Sequence, residues 1–126
     1  MKHNTGMRRL VPIVFFFAIA CSAAFYARQE SDTLYFGTAK PDGTIVTQAD
    51  WDQFLREVVT PRFPGFTHWE AHGSWKNVPE ETHVVVIIHP PGHEIAIQQI
   101  VDEYKKRFAQ ESVLRVRSDA WLPTKE

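Results

Sequence analysis

Cysteine is almost missing from this sequence: Cys21 is the only one among 126 residues. It sits in an apolar N-terminal run, so whatever folds after it has no thiol. That excludes a disulfide scaffold and a thiolate zinc site. Stability must come from a packed core, and about 100 residues suffice for one without staples. Acids are also absent before Glu30. No phosphate-cradling glycine loop, nucleophile with its base or paired-carboxylate motif stands out. There is no internal repeat and no low-complexity tract.

What the N-terminus does contain is an export pattern. Lys2, Arg8 and Arg9 precede the apolar run Leu10 to Ala20, and small residues follow. A basic start, an apolar stretch and a small-residue end make a secretory signal. Three fates are open to it. Ala18-Ile19-Ala20 fits ordinary signal-peptidase cleavage, and the same residues with Cys21 fit a lipobox that would lipidate Cys21. Alternatively, the 18 residues from Leu10 to Ala27 reach the lower end of a spanning helix, about 17–25 residues. Processing at or near Cys21 is favoured over the anchor. Without residues 1–20 the chain keeps eleven basic residues against fifteen acidic ones. A mildly acidic exported domain is a poor partner for nucleic acid. The organisation expected is a signal or anchor over residues 1–27, a polar tether over 28–31, a domain over 32–118 and a tail over 119–126.

The domain is organised around Val84 to Ile88, five consecutive β-branched residues closed by Pro90-Pro91. Such a run suits a strand buried on both faces. Thr33 to Gly37 gives an earlier strand, and Lys40-Pro41-Asp42-Gly43 a turn. Thr47 is placed as an N-cap with Asp50 as its capping-box partner. Trp51, Phe54, Leu55 and Val58 then follow at helical spacing until Thr60-Pro61. Phe66 to Ala71 alternates as a strand, with Thr67, Trp69 and Ala71 expected inward and His68, Glu70 and His72 outward. Gly73 to Glu81 is expected to connect to the central strand. A second helix is expected from His93 to Ala109, striped by Ile97, Ile100, Val101, Tyr104 and Phe108. Ser112 to Arg117 closes the domain as a strand with Leu114 and Val116 inward and Arg115 and Arg117 outward. The order strand, helix, strand, strand, helix, strand predicts an α+β fold. The leading arrangement is a ferredoxin-like βαββαβ sandwich, an antiparallel sheet of order 4-1-3-2 with two helices on one face.

From Thr33 onward the chain resembles a family of small exported bacterial proteins catalogued as a domain of unknown function. The resemblance is carried by Leu34-Tyr35-Phe36-Gly37, Pro41-Asp42-Gly43, Asp50-Trp51 and Val59 through Gly65, including Thr60-Pro61-Arg62-Phe63-Pro64. Gly73-Ser74-Trp75, Tyr104 through Phe108 and Gln110 through Leu114 continue it. It implies an extracytoplasmic address, with some members resembling lipoproteins, and it carries over no catalytic residue. Ser74 stands where members more often carry glutamine.

Two candidate sites follow from the expected topology. Arg62, His89 and His93 would share one edge with the start of the second helix, which suits an anion. The plain alternative is that Arg62 braces its own loop. A metal at His89, His93 and Glu94 is disfavoured because a Pro-Pro-Gly loop separates the rings. His68 and His72 would lie about 13 Å apart in a strand at ~3.3 Å per residue, too far for one ion. The second candidate is the uncovered sheet face, expected to carry Tyr35, His68, Glu70, His72, Arg115 and Arg117 beside apolar residues of the central strand. A homodimer or the folded-back Trp121-Leu122 would cover it. In the competing reading it is a ligand groove, with Glu70 and a histidine as base and acid. Trp75, in a loop, is the tryptophan most suited to touching a ligand. The function favoured is a non-catalytic envelope module that binds a partner or small ligand, without cofactor or metal. The alternative is a small hydrolase, isomerase or monooxygenase-like enzyme.

Overall fold

The computed structural model describes residues 26–124. The signal, anchor and Cys21 lipidation expectations fall almost entirely on residues outside that range. Within it the elements are β1 (Tyr26–Gly37), α1 (Gln48–Phe54), β2 (Thr67–Trp75), β3 (Val78–His89), α2 (Glu94–Phe108) and β4 (Leu114–Pro123). The four strands make one antiparallel sheet in the order β2-β3-β1-β4. This is compatible with the expected 4-1-3-2, counted from the opposite edge. Both central strands are the apolar ones, each paired along both edges. The expected burial of Val84 to Ile88 on both faces is only partial, because no layer covers the second face and Ile88 is exposed there.

The helices begin and end for local reasons. Thr47 accepts from the Asp50 N–H while the Asp50 carboxylate accepts from the Thr47 N–H, the reciprocal capping box. After Phe54 the helix widens into a π-helical turn over Leu55–Val59, closed by the Thr60 N–H donating to the Leu55 carbonyl. Leu55, Val58 and Val59 all become buried, and Pro61 supplies no N–H to continue the ladder. α2 ends on Ala109 in the left-handed region, φ 52°, a position that glycine would fill with less strain.

The core lies between the helices and one sheet face. Leu34, Phe36, Val85 and Ile87 meet Trp51, Phe54 and Val58 from the α1 side and Ile97, Ile100, Tyr104 and Phe108 from α2. The Tyr104 hydroxyl donates to the Gly37 carbonyl at 2.7 Å, which ties α2 to the end of β1.

Four expectations need correction. Residues 28–31 are not a tether: β1 starts at Tyr26, since Ala27 to Ser31 gain a partner in β4. The tail is not one either, because β4 continues to Pro123 and pairs Trp121 with Arg28 and Leu122 with Ala27. Those two residues therefore do not fold back over the sheet. Gly73 to Glu81 is a hairpin rather than a connection, turning on Lys76 and Asn77, both at positive φ. Finally, the two edge strands present the opposite faces from those expected. His68 is opposite Val85 and Arg115 opposite Leu34, so His68, Glu70, His72, Arg115 and Arg117 lie on the helix-bearing face. Trp69, Leu114 and Val116 lie on the open one. Alternation shows which residues share a face but not which face meets the helices, and the pairing register decides that.

Candidate functional site

Asp32 occupies the helix-bearing phase of β1, two residues before Leu34 and four before Phe36, and it is 0% exposed. A carboxylate there must be neutralised and hydrogen-bonded to be tolerated. Two side chains do this. His89, at the end of β3 and 2% exposed, brings Nε2 to 2.7 Å from Asp32 Oδ2. Arg115, on β4, donates from Nε to Oδ1 at 2.6 Å. Arg117 stands 3.6 Å from the same oxygen and 3.9 Å from Glu30. The central position of β1 makes this possible, because it places Asp32 between one neighbour carrying a histidine and another carrying arginines.

The electrostatics favour an ionised Asp32. Burial pushes its carboxyl upward. The hydrogen bonds from Arg115 and His89 and the charges of Arg115 and Arg117 outweigh burial and hold it below the usual carboxylate range. His89 Nδ1 lies 2.8 Å from the Pro90 carbonyl, an oxygen that only accepts. Both ring nitrogens of His89 are thus held by partners within the chain. Beyond this pair, Arg115 gives both terminal nitrogens to Glu94, at 2.6 and 3.0 Å, and Arg117 also contacts the Glu94 carboxylate.

The expected anion cluster forms only in part. His89 and His93 do meet, with ring centroids 5.6 Å apart, and Phe63 packs against both. Arg62 does not join them: it donates to the Val58 carbonyl at 2.9 Å and to Gln99 at 3.2 Å, bracing its loop against α2. Among the described residues no group of His, Cys, Asp and Glu is arranged to hold a metal ion.

The expected face is split: Glu70 keeps His68 and His72 beside it on one face of β2, but the arginines do not join them. His68, Glu70 and His72 are on edge strand β2 and Arg115 and Arg117 on edge strand β4, with the two central strands between them. Tyr35 alone stays on the open face as expected, opposite Val84 and Leu114. Trp75 is exposed beside the hairpin turn, with the Lys76 ammonium 5.8 Å from its ring.

Two residues were missed. Asp32 was legible, since an acid in phase with Leu34 and Phe36 must be buried. His83 shares the helix-bearing phase of β3 with Val85 and Ile87 and stacks on Trp51 at 4.2 Å, nearly parallel. Its Nδ1 and the Trp51 Nε1 are buried without a hydrogen-bond partner among the described residues. Burial pushes the His83 imidazole below its ordinary value, with Glu70 opposing. The folded chain therefore resists a proton that the unfolded chain accepts, and stability falls as pH drops below about 6.5. Replacing His83 by phenylalanine keeps the stack and removes the orphaned nitrogen. Urea unfolding of that variant should give about 1 kcal/mol more stability at pH 6 and a shallower loss between pH 7 and 5.

Comparison with known proteins adds family and fold. A family model described as "Protein of unknown function (DUF3574)" matches residues 31–123. No curated protein matches the chain. Among solved structures, a phage SAM lyase in its apo state is similar at a TM-score of 0.57 and 16% sequence identity. The match covers 77% of this chain and 90% of that one. At that identity the likeness is one of fold.

Proposed function

The chain belongs to the DUF3574 family, and from that premise we propose that its domain is an exported cell-envelope module that acts by binding a protein partner, foremost a second copy of itself, rather than by catalysis. The observation that carries this reading is the open face of the sheet. Leu114 (61% exposed), Val116 (48%), Ile88 (47%), Trp69 and Leu122 all project from it. Between them lie Ala27, Thr33, Tyr35, Val84 and Val86. Glu80, near the hairpin end, is the only charged residue in this phase of the four strands. Serines, threonines and Gln29 complete the face, and exposed apolar side chains gathered on a nearly uncharged face of this kind mark an interface. A shallow groove lined by Gly65, Phe66, Thr67, Val86 and Ile88 adjoins it.

A second copy fits because an uncharged face is complementary to itself across a two-fold axis, without charge matching. The size is adequate too. Four strands at ~4.8 Å spacing and about nine residues at ~3.3 Å give a footprint of roughly 550 Å². Contoured surface is larger than its footprint, so two such faces approach the lower bound of about 1,200 Å² for a stable interface. The element and sheet order support reading the domain as a ferredoxin-like sandwich whose helices cover one face and a partner the other. Export rests on the basic and apolar pattern of residues 1–21, and the intact mass of the membrane-associated chain tests it. Among the described residues no helix is long and apolar enough to cross a membrane. The phage lyase supports only the statement that a similar fold can house an enzyme. Of the residues on which an enzymatic alternative relied, His68, Glu70 and His72 share edge strand β2, and Arg115 and Arg117 stand on the opposite edge, β4.

Photo-crosslinking in cells tests the reading on the full chain. A crosslinker at Ile88 should give an adduct at twice the mass of the uncrosslinked chain, whereas one at Gln53 on the exposed side of α1 should not. Val116→Arg should cut that adduct by roughly 100-fold, since an unpaired guanidinium at an apolar interface costs about 3 kcal/mol, while leaving the circular dichroism unchanged. An adduct with a different protein would replace the second copy but keep the interface. Equal crosslinking from both positions would overturn the reading.

A further inference from the structure

We propose that Arg115 and Arg117 form a binding site for a small carboxylate-bearing ligand, and that Glu94 fills this site in the free protein as an internal placeholder. The argument begins with how Arg115 is held. Its Nε is fixed at 2.6 Å to Asp32, and Asp32 is gripped from its other oxygen by His89. A guanidinium tied down through Nε keeps its two terminal nitrogens side by side, a planar fork matched to two carboxylate oxygens. The Glu94 carboxylate takes both prongs, one on each oxygen, and Arg117 joins at the second oxygen. Three guanidinium nitrogens therefore converge on one carboxylate.

The two halves of this contact are built differently. The arginine half rests on a fully buried acid. The Glu94 half is a side chain 54% exposed, on the first residue of α2, and among the described residues its carboxylate bonds only to these arginines. It can turn outward by rotation about its own side-chain bonds and leave the Asp32–Arg115 pair in place. Once it does, Asp32 and Glu30 face the arginines from beneath, and Asp32 is already shared with His89. The outward side of the fork is then positive and unfilled, next to the N-terminal end of α2, which favours an anion. A ligand carboxylate completes the same three contacts. Glu94 competes as an intramolecular ligand at an effective concentration in the millimolar range or above, so simple carboxylates bind weakly to the unaltered chain. A ligand with further contacts displaces Glu94. This site lies on the helix-bearing face and does not depend on what covers the open one.

The test uses the full chain and propionate, which has the carbon skeleton of the missing side chain. The readout is the NMR signal of the Arg115 Nε–H, assigned by its loss in Arg115→Lys. In Glu94→Ala, propionate and succinate should shift that signal saturably, at least about fivefold more tightly than in the unaltered chain, as removal of a tethered competitor requires. Chloride at equal ionic strength should not, and Glu94→Ala combined with Arg115→Lys should show no saturable carboxylate binding by calorimetry. Glu94→Gln, which keeps the side-chain length, serves if the alanine variant does not fold. Carboxylates binding no better than chloride would overturn the proposal, as would equal affinity in variant and unaltered chain. Inorganic phosphate binding tenfold tighter than propionate would overturn the assignment to carboxylates. Failure of both Glu94 variants to fold would show a structural residue and overturn it as well.

Discussion

Replacing Asp32 by alanine is expected to cost the fold about 3–5 kcal/mol, the range for removing one partner of a buried ion pair. The loss exceeds that of the hydrogen bonds alone. His89 is 2% exposed and would be left with a buried ring nitrogen lacking its partner, and the largely covered Arg115 would keep its charge with Glu94 alone against it. Asn at the same position should lose nearly as much, because it supplies shape but no charge. Removing His89 as well should cost less than the sum of the two single changes, since the orphaned partner disappears with it. Guanidinium unfolding of the four chains in this cycle measures the coupling directly. The pH dependence follows with a definite sign. Asp32 stays ionised in the folded chain to a lower pH than in the unfolded one, whose ordinary value is 3.8. Its contribution is therefore present above that value and is lost as pH falls through the folded one. The Asp32→Asn chain should lack this acid limb, and a limb of unchanged steepness would show that the pair is not its source.

Truncating Phe36 to alanine should be of similar size, about 3–5 kcal/mol, for an unrelated reason. Phe36 is fully buried, and its ring lies 4.6 Å from Tyr104, 5.4 Å from Trp51 and 5.7 Å from Phe54. One side chain of the sheet thus touches both helices. These aromatic neighbours cannot collapse together into the space it leaves, because two are held by α1 and the third by α2, so the cavity persists. Leucine at this position should recover most of the loss, leaving about 1–2 kcal/mol. Thermal unfolding of the two variants tests the claim: an alanine variant within 1 kcal/mol of the unaltered chain would mean that the helices close over the gap.

These two residues show how far the sequence could be followed. Phe36 could be placed from its alternation with Leu34 in an apolar strand, and its aromatic neighbours from the helical spacing of Trp51, Phe54 and Tyr104. Asp32 stands in the same phase, but the stretch that marks the strand begins only at Thr33, one residue after it. The edge strands were read by polarity alone, and polarity pointed the wrong way. In β4 the arginines look outward-facing until a buried carboxylate in β1 gives them a reason to turn inward. In β2, alternation puts His68 on the open face, but it lies on the helix side, exposed, with its ring centroid 6.5 Å from that of Trp51. The hairpin at Lys76-Asn77 is not legible in the sequence, since glycine and proline disfavour strand interiors, yet Gly73 and Pro79 both stand in paired strands.

Taken by itself, the chain of residues determined the kinds and order of the elements, the capping of α1 and the identity of the two central strands. Each of those depends on contacts between near neighbours or on burial of a whole segment, and both leave a periodic mark. Tertiary structure alone decided which side of each edge strand meets the helices. From that choice came the union of Asp32, His89 and Arg115, the pairing of Glu94 with the arginine fork, and the uncharged open face. The reason is geometric: an alternating strand has two equivalent faces until a partner strand fixes its register, and those partners lie far away along the chain.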